Sequence, residues 1–254
     1  MARDKIIPVA AAITAAAGLG WGYRRRMSET SQAAGDFPYR GPADHRVIAL
    51  TFDDGPNDPY TGALAEVLAD RGVRATFFQV GRCVQRHPRR TRELASAGHL
   101  IGNHSFRHRL DDYLRPRKFL ADVDRTQQII GDLTGNPPRY FRPPWLYRTP
   151  ALLAGIAGRG LQVVSGRFCD PLEVLQPGAG RIATQAVRRA EPGGMIIFHD
   201  GFDGRGGDRG RTVDAVGLVI DRLRDAGYGF VTVDRLLPVP CPGGSSAGRP
   251  LDQS

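Results

Sequence analysis

Two adjacent carboxylates, Asp53 and Asp54, stand in TFDDGPN directly after the apolar run RVIAL. Like charges side by side repel and are costly to desolvate, and a turn before Gly-Pro needs only one Asp. Further along, HSFRH sets His104 and His108 at i and i+4. On a helical turn that spacing puts both imidazoles on one face, within reach of one ion. Alone, it is served equally by two surface histidines beside a basic loop. With a carboxylate from a neighbouring strand end, two His and one Asp make a ligand set that zinc uses in catalytic sites, where a fourth position stays open to water. The adjacent acids then take different jobs. One binds the metal; the other stays free as a general base toward a water whose pKa the metal lowers to ~7. Arg142 in FRPPW can pair with the free Asp and keep it ionised, or be a surface Arg before a Pro-Pro turn. Trp145 can wall a pocket or belong to the core. His199 in MIIFHDG suits a general acid, or a satisfied core histidine. Asp170, Glu173 and Asp200 are the candidate carboxylates to hold His199 protonated.

These residues need elements that bring them together. Short apolar stretches at 47–52, 75–80, 100–102, 139–141, 162–165, 195–198 and 230–233 read as strands. Helical periodicity is clearest at Phe119, Val123, Ile130 and Leu133, and at Val213, Val216, Ile220 and Leu223. Alternation of this kind implies crossover units and a mainly parallel sheet, and the number of units suits an imperfect barrel. Each unusual polar residue follows a strand, and in parallel α/β barrels those strand ends share one face. The Gly-rich GFDGRGGDRG fits neither a phosphate loop nor a dinucleotide fingerprint and reads as a flexible loop at the rim. No GxSxG elbow or nucleophilic cysteine setting occurs. His45, His87 and His99 are assigned to structure or surface.

Together these motifs resemble the NodB-homology polysaccharide deacetylases, carbohydrate esterase family four, over about residues 47–237 and in the family's order. TFDDGP matches the first motif, which implies Asp53 as catalytic base and Asp54 as metal ligand. HSFRH matches the second, with His104 and His108 as ligands. RPPW matches the third, with Arg142 orienting the base and the Trp145 N–H holding an oxyanion. IIFHD matches the fifth, with His199 as general acid. The resemblance implies an α/β fold, a distorted (β/α)7 barrel in a single domain. It also implies Zn2+ or another divalent metal ion, and removal of N-acetyl groups from an N-acetylated amino-sugar polymer or oligomer, peptidoglycan or chitin-like. The fourth motif departs: DPLEV stands where the family has Asp-Pro-x-Asp-Trp, so Asp170 matches, Glu173 replaces an Asp and Val174 a Trp. Leu146 replaces a Gly in the third. These changes bear on the substrate more than on the hydrolysis. Alternative readings are a deacetylase or deformylase of a lipid-linked sugar, and an inactive glycan-binding homologue; the intact acid and base argue against the latter.

The chain has 254 residues and a net charge of +9, carried almost wholly by arginine. That favours anionic partners such as anionic lipid or cell-wall polymer. With no basic stretch interleaved with aromatics, nucleic acid is not an expected partner. Cys83, Cys169 and Cys241 show no CxxC spacing, which argues against a disulfide framework and a structural zinc site. Residues 6–23 are uncharged and rich in Ala and Gly, flanked by Arg3, Lys5 and by Arg24, Arg25 and Arg26. Residues 1–26 therefore read as a membrane anchor or signal segment, giving a membrane-anchored or exported protein that faces the cell envelope. The arginines that follow keep a cytoplasmic location as the alternative. Residues 27–43 read as a polar linker, 44–237 as one monomeric domain and 238–254 as a disordered Pro/Gly/Ser-rich tail.

Overall fold

Strand β1, Val47–Asp53, is buried along nearly its whole length, as expected of a parallel strand covered on both faces. Its side chains divide with period two. Ile48, Leu50 and Phe52 pack outward with Leu64, Leu68, Val216 and Ile220 of the surrounding helices. Ala49 belongs to the inner layer with Phe78, Tyr140 and Met195, and Thr51 and Asp53 continue that inward row. The computed structural model describes residues 28–237. The other strands are β2 Thr76–Gln79, β3 Leu100–Asn103, β4 Tyr140–Phe141, β5 Gln162–Val163, β6 Arg167–Phe168, β7 Met195–His199 and β8 Gly229–Phe230. They lie in the order β5-β4-β3-β2-β1-β7-β6, with β8 beside the start of β1. All the pairings within this sheet are parallel. The result is the distorted, single-domain α/β barrel that the resemblance implied, a curled sheet with seven strands in one row and an eighth, β8, beside β1. Among the described residues no pairing joins its two end strands, β5 and β6.

The helices are α1 Tyr60–Asp70, α2 Gly81–Arg86, α3 Pro88–Ser96, α4 Pro116–Thr134, α5 Pro150–Ala157, α6 Ala179–Arg189, α7 Gly210–Asp225 and α8 Val233–Leu236. The periodic positions locate the two longest: α4 buries Phe119, Val123 and Ile130, and α7 buries Val216, Ile220 and Leu223. Helix α4 stops at Gly135, whose φ of 73° is the left-handed cap that glycine supplies at no steric cost. Helix α5 opens on the Thr149 side chain, which accepts from the Leu152 N–H, with Pro150 in the first turn.

Three expectations change. Strand β6 carries no periodicity because it is two residues long. The final strand ends at Phe230, and Val233–Leu236 is helical. Residues 28–42, inside the expected linker, pack against the barrel. Phe37 is fully buried in the cluster with Phe141, Leu146 and Ile197. The Pro38 carbonyl accepts from Ser165 N (2.7 Å), and Arg40 forms an antiparallel bridge with Gly194. Polar composition suggested a linker, yet one aromatic and a row of backbone hydrogen bonds suffice to fasten a short segment over an unpaired seam. The expected segments 1–26 and 238–254 lie outside the described residues. Among the described residues no helix is long and apolar enough to cross a membrane.

Deleting a fully buried Phe ring costs about 3–5 kcal/mol. Phe37→Ala in the full chain is therefore expected to lower unfolding stability by about that much in urea. A linker residue would show a change within about 0.5 kcal/mol.

Candidate active site

Asp53 lies opposite His199 in the β1–β7 register. Strand alternation would send Asp54 to the other face. Instead Asp54 has φ 80°, in the left-handed region that few non-glycine residues adopt, and both carboxylates line the same cavity. Asp200 fastens this turn: its carboxylate accepts from Gly55 N (3.0 Å) and from Thr61 Oγ1 (2.6 Å). A Cβ on Gly55 would lie 1.9 Å from Asp200 Oδ2, so the position requires glycine. Burial pushes the Asp200 carboxyl up to about 7. Asp200, one of three sequence candidates beside His199, thus serves the turn instead.

His104 and His108 follow β3, but HSFRH is not a helical turn. Ser105 and His108 take φ of 64° and 51°, which folds the loop back on itself. The rings still converge, with centroids 5.0 Å apart. Asp54 Oδ1 lies 3.0 Å from His108 Nε2 and 3.4 Å from His104 Nε2. It is buried and makes no well-directed hydrogen bond to either. One ligand atom from each of the three residues falls within 4.8 Å of the others. His104 Nδ1 sits 2.7 Å from the Arg142 carbonyl. As the donor there, it leaves the Nε2 lone pair facing the cluster, the arrangement of a metal-binding imidazole with its outer partner. Asp54 Oδ2 is held by the Asp203 N–H at 3.1 Å. Three converging lone pairs around an orphaned carboxylate oxygen fit a divalent cation.

The cluster demands positive charge in any case. Burial raises Asp54, but His108 and His104 outweigh it and hold its carboxyl well below the usual range. Burial likewise opposes a charged His108, yet Asp54 and Asp203 raise it to about 9.

Arg142 is fully buried. Its Nη1 donates to Asp53 Oδ1 (2.7 Å) and Thr51 Oγ1 (2.8 Å), its Nη2 donates to the Ser165 carbonyl (2.7 Å), and its guanidinium lies 4.1 Å from the Phe78 ring centroid. On the far side of the cavity, His199 Nδ1 is 2.7 Å from Glu173 Oε2, and the other Glu173 oxygen accepts from Thr212 Oγ1. Burial disfavours the imidazolium, but the Glu173 carboxylate outweighs it and raises His199 to about 9. Glu173, standing where the family has Asp, is therefore the carboxylate that faces His199. Asp170 is turned away from that task and binds Arg181 Nε and Leu172 N, both at 2.9 Å.

The cavity between these groups measures about 400 Å³ and carries an apolar wall of Leu146, Phe168, Pro171, Val174 and Phe202. Trp145 stands at its mouth, 45% exposed, with its ring 4.3 Å from that of His108. Trp145 and Leu146 both have positive φ, 54° and 53°. Among the described residues the Trp145 N–H makes no hydrogen bond. The remaining histidines stay apart from this site: His99 Nδ1 accepts from Ala75 N, and His45 and His87 lie beside Asp44 and Asp58. Cys83 and Cys169 are free and buried. Four site residues lacked a sequence signal: Thr212, Phe168, Phe202 and Asp203. Phe168 sits on a two-residue strand, and Phe202 and Asp203 sit in the Gly-rich loop.

Comparison with known proteins agrees with this geometry. A family model described as polysaccharide deacetylase matches residues 40–164. A peptidoglycan-N-acetylglucosamine deacetylase of Bacillus cereus is 34% identical over 77% of this chain and 90% of its own. A chitooligosaccharide deacetylase of Azorhizobium caulinodans is 31% identical over 80% of this chain and 97% of its own. A crystallised peptidoglycan N-acetylglucosamine deacetylase superposes with a TM-score of 0.71 at 26% identity, covering 79% of this chain and 92% of that one. A barrel of this topology, with DDG, HSFRH, RPPW and HD at its strand ends and relatives spanning nearly their full length, belongs to the polysaccharide deacetylases of the NodB-homology type, a family of hydrolases.

Proposed function

We propose that this chain is a metal-dependent N-deacetylase of an N-acetylated amino-sugar polymer or oligomer, peptidoglycan or chitin-like, at the cell envelope. The observation that carries this reading is one cavity holding a carboxylate outside the cluster, an imidazole paired to a carboxylate, and the Asp54–His104–His108 cluster. The names of the relatives support glycan as the substrate class, and residues 1–26 are the segment that would deliver or anchor the protein. A glycan-binding homologue without activity would have no use for both a poised acid and a poised base.

Asp54, His104 and His108 would hold the ion, zinc or another divalent metal. When bound, it supplies Lewis-acid polarisation of the acetamido carbonyl and acidification of water. Arg142 holds Asp53 in place through Oδ1, and Asp53 takes a proton from the attacking water. The unpaired Trp145 N–H donates to the developing oxyanion. Glu173 holds Nδ1 of His199, so Nε2 carries the proton that goes to the leaving amine. The products are acetate and a free amino sugar.

Acetate release from N-acetylglucosamine oligomers by the full chain is expected to stop on chelation and to return with zinc. Asp53→Asn should lower kcat by ~10²–10⁴-fold, the usual worth of a positioned general base. It should leave intact the rise in Tm that zinc gives by binding the folded state, whereas Asp54→Ala should abolish that rise. Release by the wild type that ignores chelation would refute the metal-dependent reading.

The His199–Glu173 pair makes a second prediction, on pH. A histidine raised from about 6.5 to about 9 adds stability that is fully present below its unfolded value and disappears as pH rises through about 9. The same proton is the one delivered to the amine, so kcat/KM should fall on the alkaline side as His199 deprotonates. Glu173→Gln removes the carboxylate that raises it. The alkaline limb should then move down toward ~6.5, and an unmoved limb would exclude His199 as the acid.

A further inference from the structure

The segment that precedes the region matched by the family model, which starts at residue 40, reaches the catalytic groups through three short links. The Glu29 carboxylate accepts from Phe168 N (3.0 Å) through one oxygen and from Arg189 Nη1 (3.0 Å) through the other. The Phe168 ring lies parallel to the imidazole of His199, at 12° and 6.2 Å between centroids. The Glu29 carbonyl accepts from Ser165 Oγ, and the Ser165 carbonyl is one of the anchors of Arg142. The carbonyls of Ser28 and Ser31 accept from Arg148 Nη2, whose Nη1 binds the Leu146 carbonyl beside Trp145.

Besides Glu29, strand β6 and the link 164–166 are held by the Arg167–Glu191 ion pair, by Arg189 Nη1 on the Phe168 carbonyl and by backbone bonds to Phe141 and Ile197. They lie at the open seam of the barrel, where β5 and β6 do not pair. Strand β6 has only β7 on one side, through two residue pairs. A loose seam would let Phe168 swing relative to His199 and let Ser165 release Arg142. Misplacement of catalytic groups by even 1 Å can cost about 10²-fold in rate.

We infer that residues 28–39 are a structural part of the active site, and that Glu29 is a positioning residue that sets His199 through Phe168 and Arg142 through Ser165. The inference deepens the deacetylase reading and rests on it for its kinetic readout. Its structural readout is independent of that reading.

The test uses the full chain, as wild type, Glu29→Ala, Glu29→Gln and Ile220→Val. The last trims the α7 core, is not one of the residues in these links, and serves as a control for lost stability alone. Two quantities are read: kcat and KM for acetate release from N-acetylglucosamine oligomers, and the NMR ring signals of His199, assigned with a His199→Gln variant. Glu29→Ala should lower kcat by about tenfold or more with KM changed less than about twofold, and should shift the His199 ring signals while those of His99 stay in place. Glu29→Gln keeps an oxygen that accepts from Phe168 N, so most of kcat should return. Ile220→Val should lower Tm and leave kcat alone. Wild-type kcat and unmoved His199 signals in Glu29→Ala would overturn the inference, as would a Gln variant no better than Ala. If the wild type releases no acetate from any N-acetylated glycan, the proposed function fails. The His199 signals in Glu29→Ala then still decide the coupling.

Discussion

One fully buried guanidinium ties this site together. Arg142 is fully buried, and an isolated charge there would cost several kcal/mol. It is tolerated because both terminal nitrogens and one face find partners: Asp53 and Thr51 on β1, the Ser165 carbonyl at the seam, and the ring of Phe78. Its own carbonyl holds Nδ1 of His104. One residue after a two-residue strand therefore sets the position of Asp53, the tautomer of His104 and the position of the 164–166 link. Those contacts also explain why the barrel interior narrows to polar groups at its upper end while Phe78, Tyr140 and Met195 fill the layer below.

The paired carboxylates are compatible because the backbone separates their duties. The left-handed turn at Asp54 points one acid at two imidazoles, while the other remains in the strand against Arg142. Each is compensated by its own cation or metal-ligand set. The same principle operates across the cavity, where buried Glu173 is balanced by His199 and by the hydroxyl of Thr212. The longer Glu reaches Nδ1 at hydrogen-bond distance, so the exchange of Asp for Glu preserves the contact. Val174 is a different matter: with Leu146, Phe168 and Phe202 it leaves the cavity wall apolar. Such a wall suits the methyl of an acetyl group and the C–H faces of a sugar.

Asp53, Asp54, His104, His108, Arg142 and His199 were legible as residue types at strand ends, because apolar runs followed by DD, HSFRH, FR and HD are patterns of local sequence. The two long helices and six of the strands were legible for the same reason. What was not legible depends on partners distant in the chain. Nothing in HSFRH announces that two left-handed residues, rather than a helical turn, bring its rings together. Residue type alone left three acids as candidates beside His199, the family motif pointed to the position of Glu173, and packing assigned each: Glu173 to the imidazole, Asp170 to Arg181, Asp200 to the turn at Gly55.

Sequence alone determined the chemistry available, the parallel α/β frame and the face on which the polar groups would meet, since these follow from periodicity and from side-chain type. The tertiary structure decided the rest. It converted a polar stretch at 28–42 from an apparent linker into a strap, because Phe37 found a buried niche and the seam between β5 and β6 offered unpaired backbone. It also assigned each charge its counterpart, because burial makes an unpaired charge far costlier than a paired one, and which groups are buried together is a property of the folded chain.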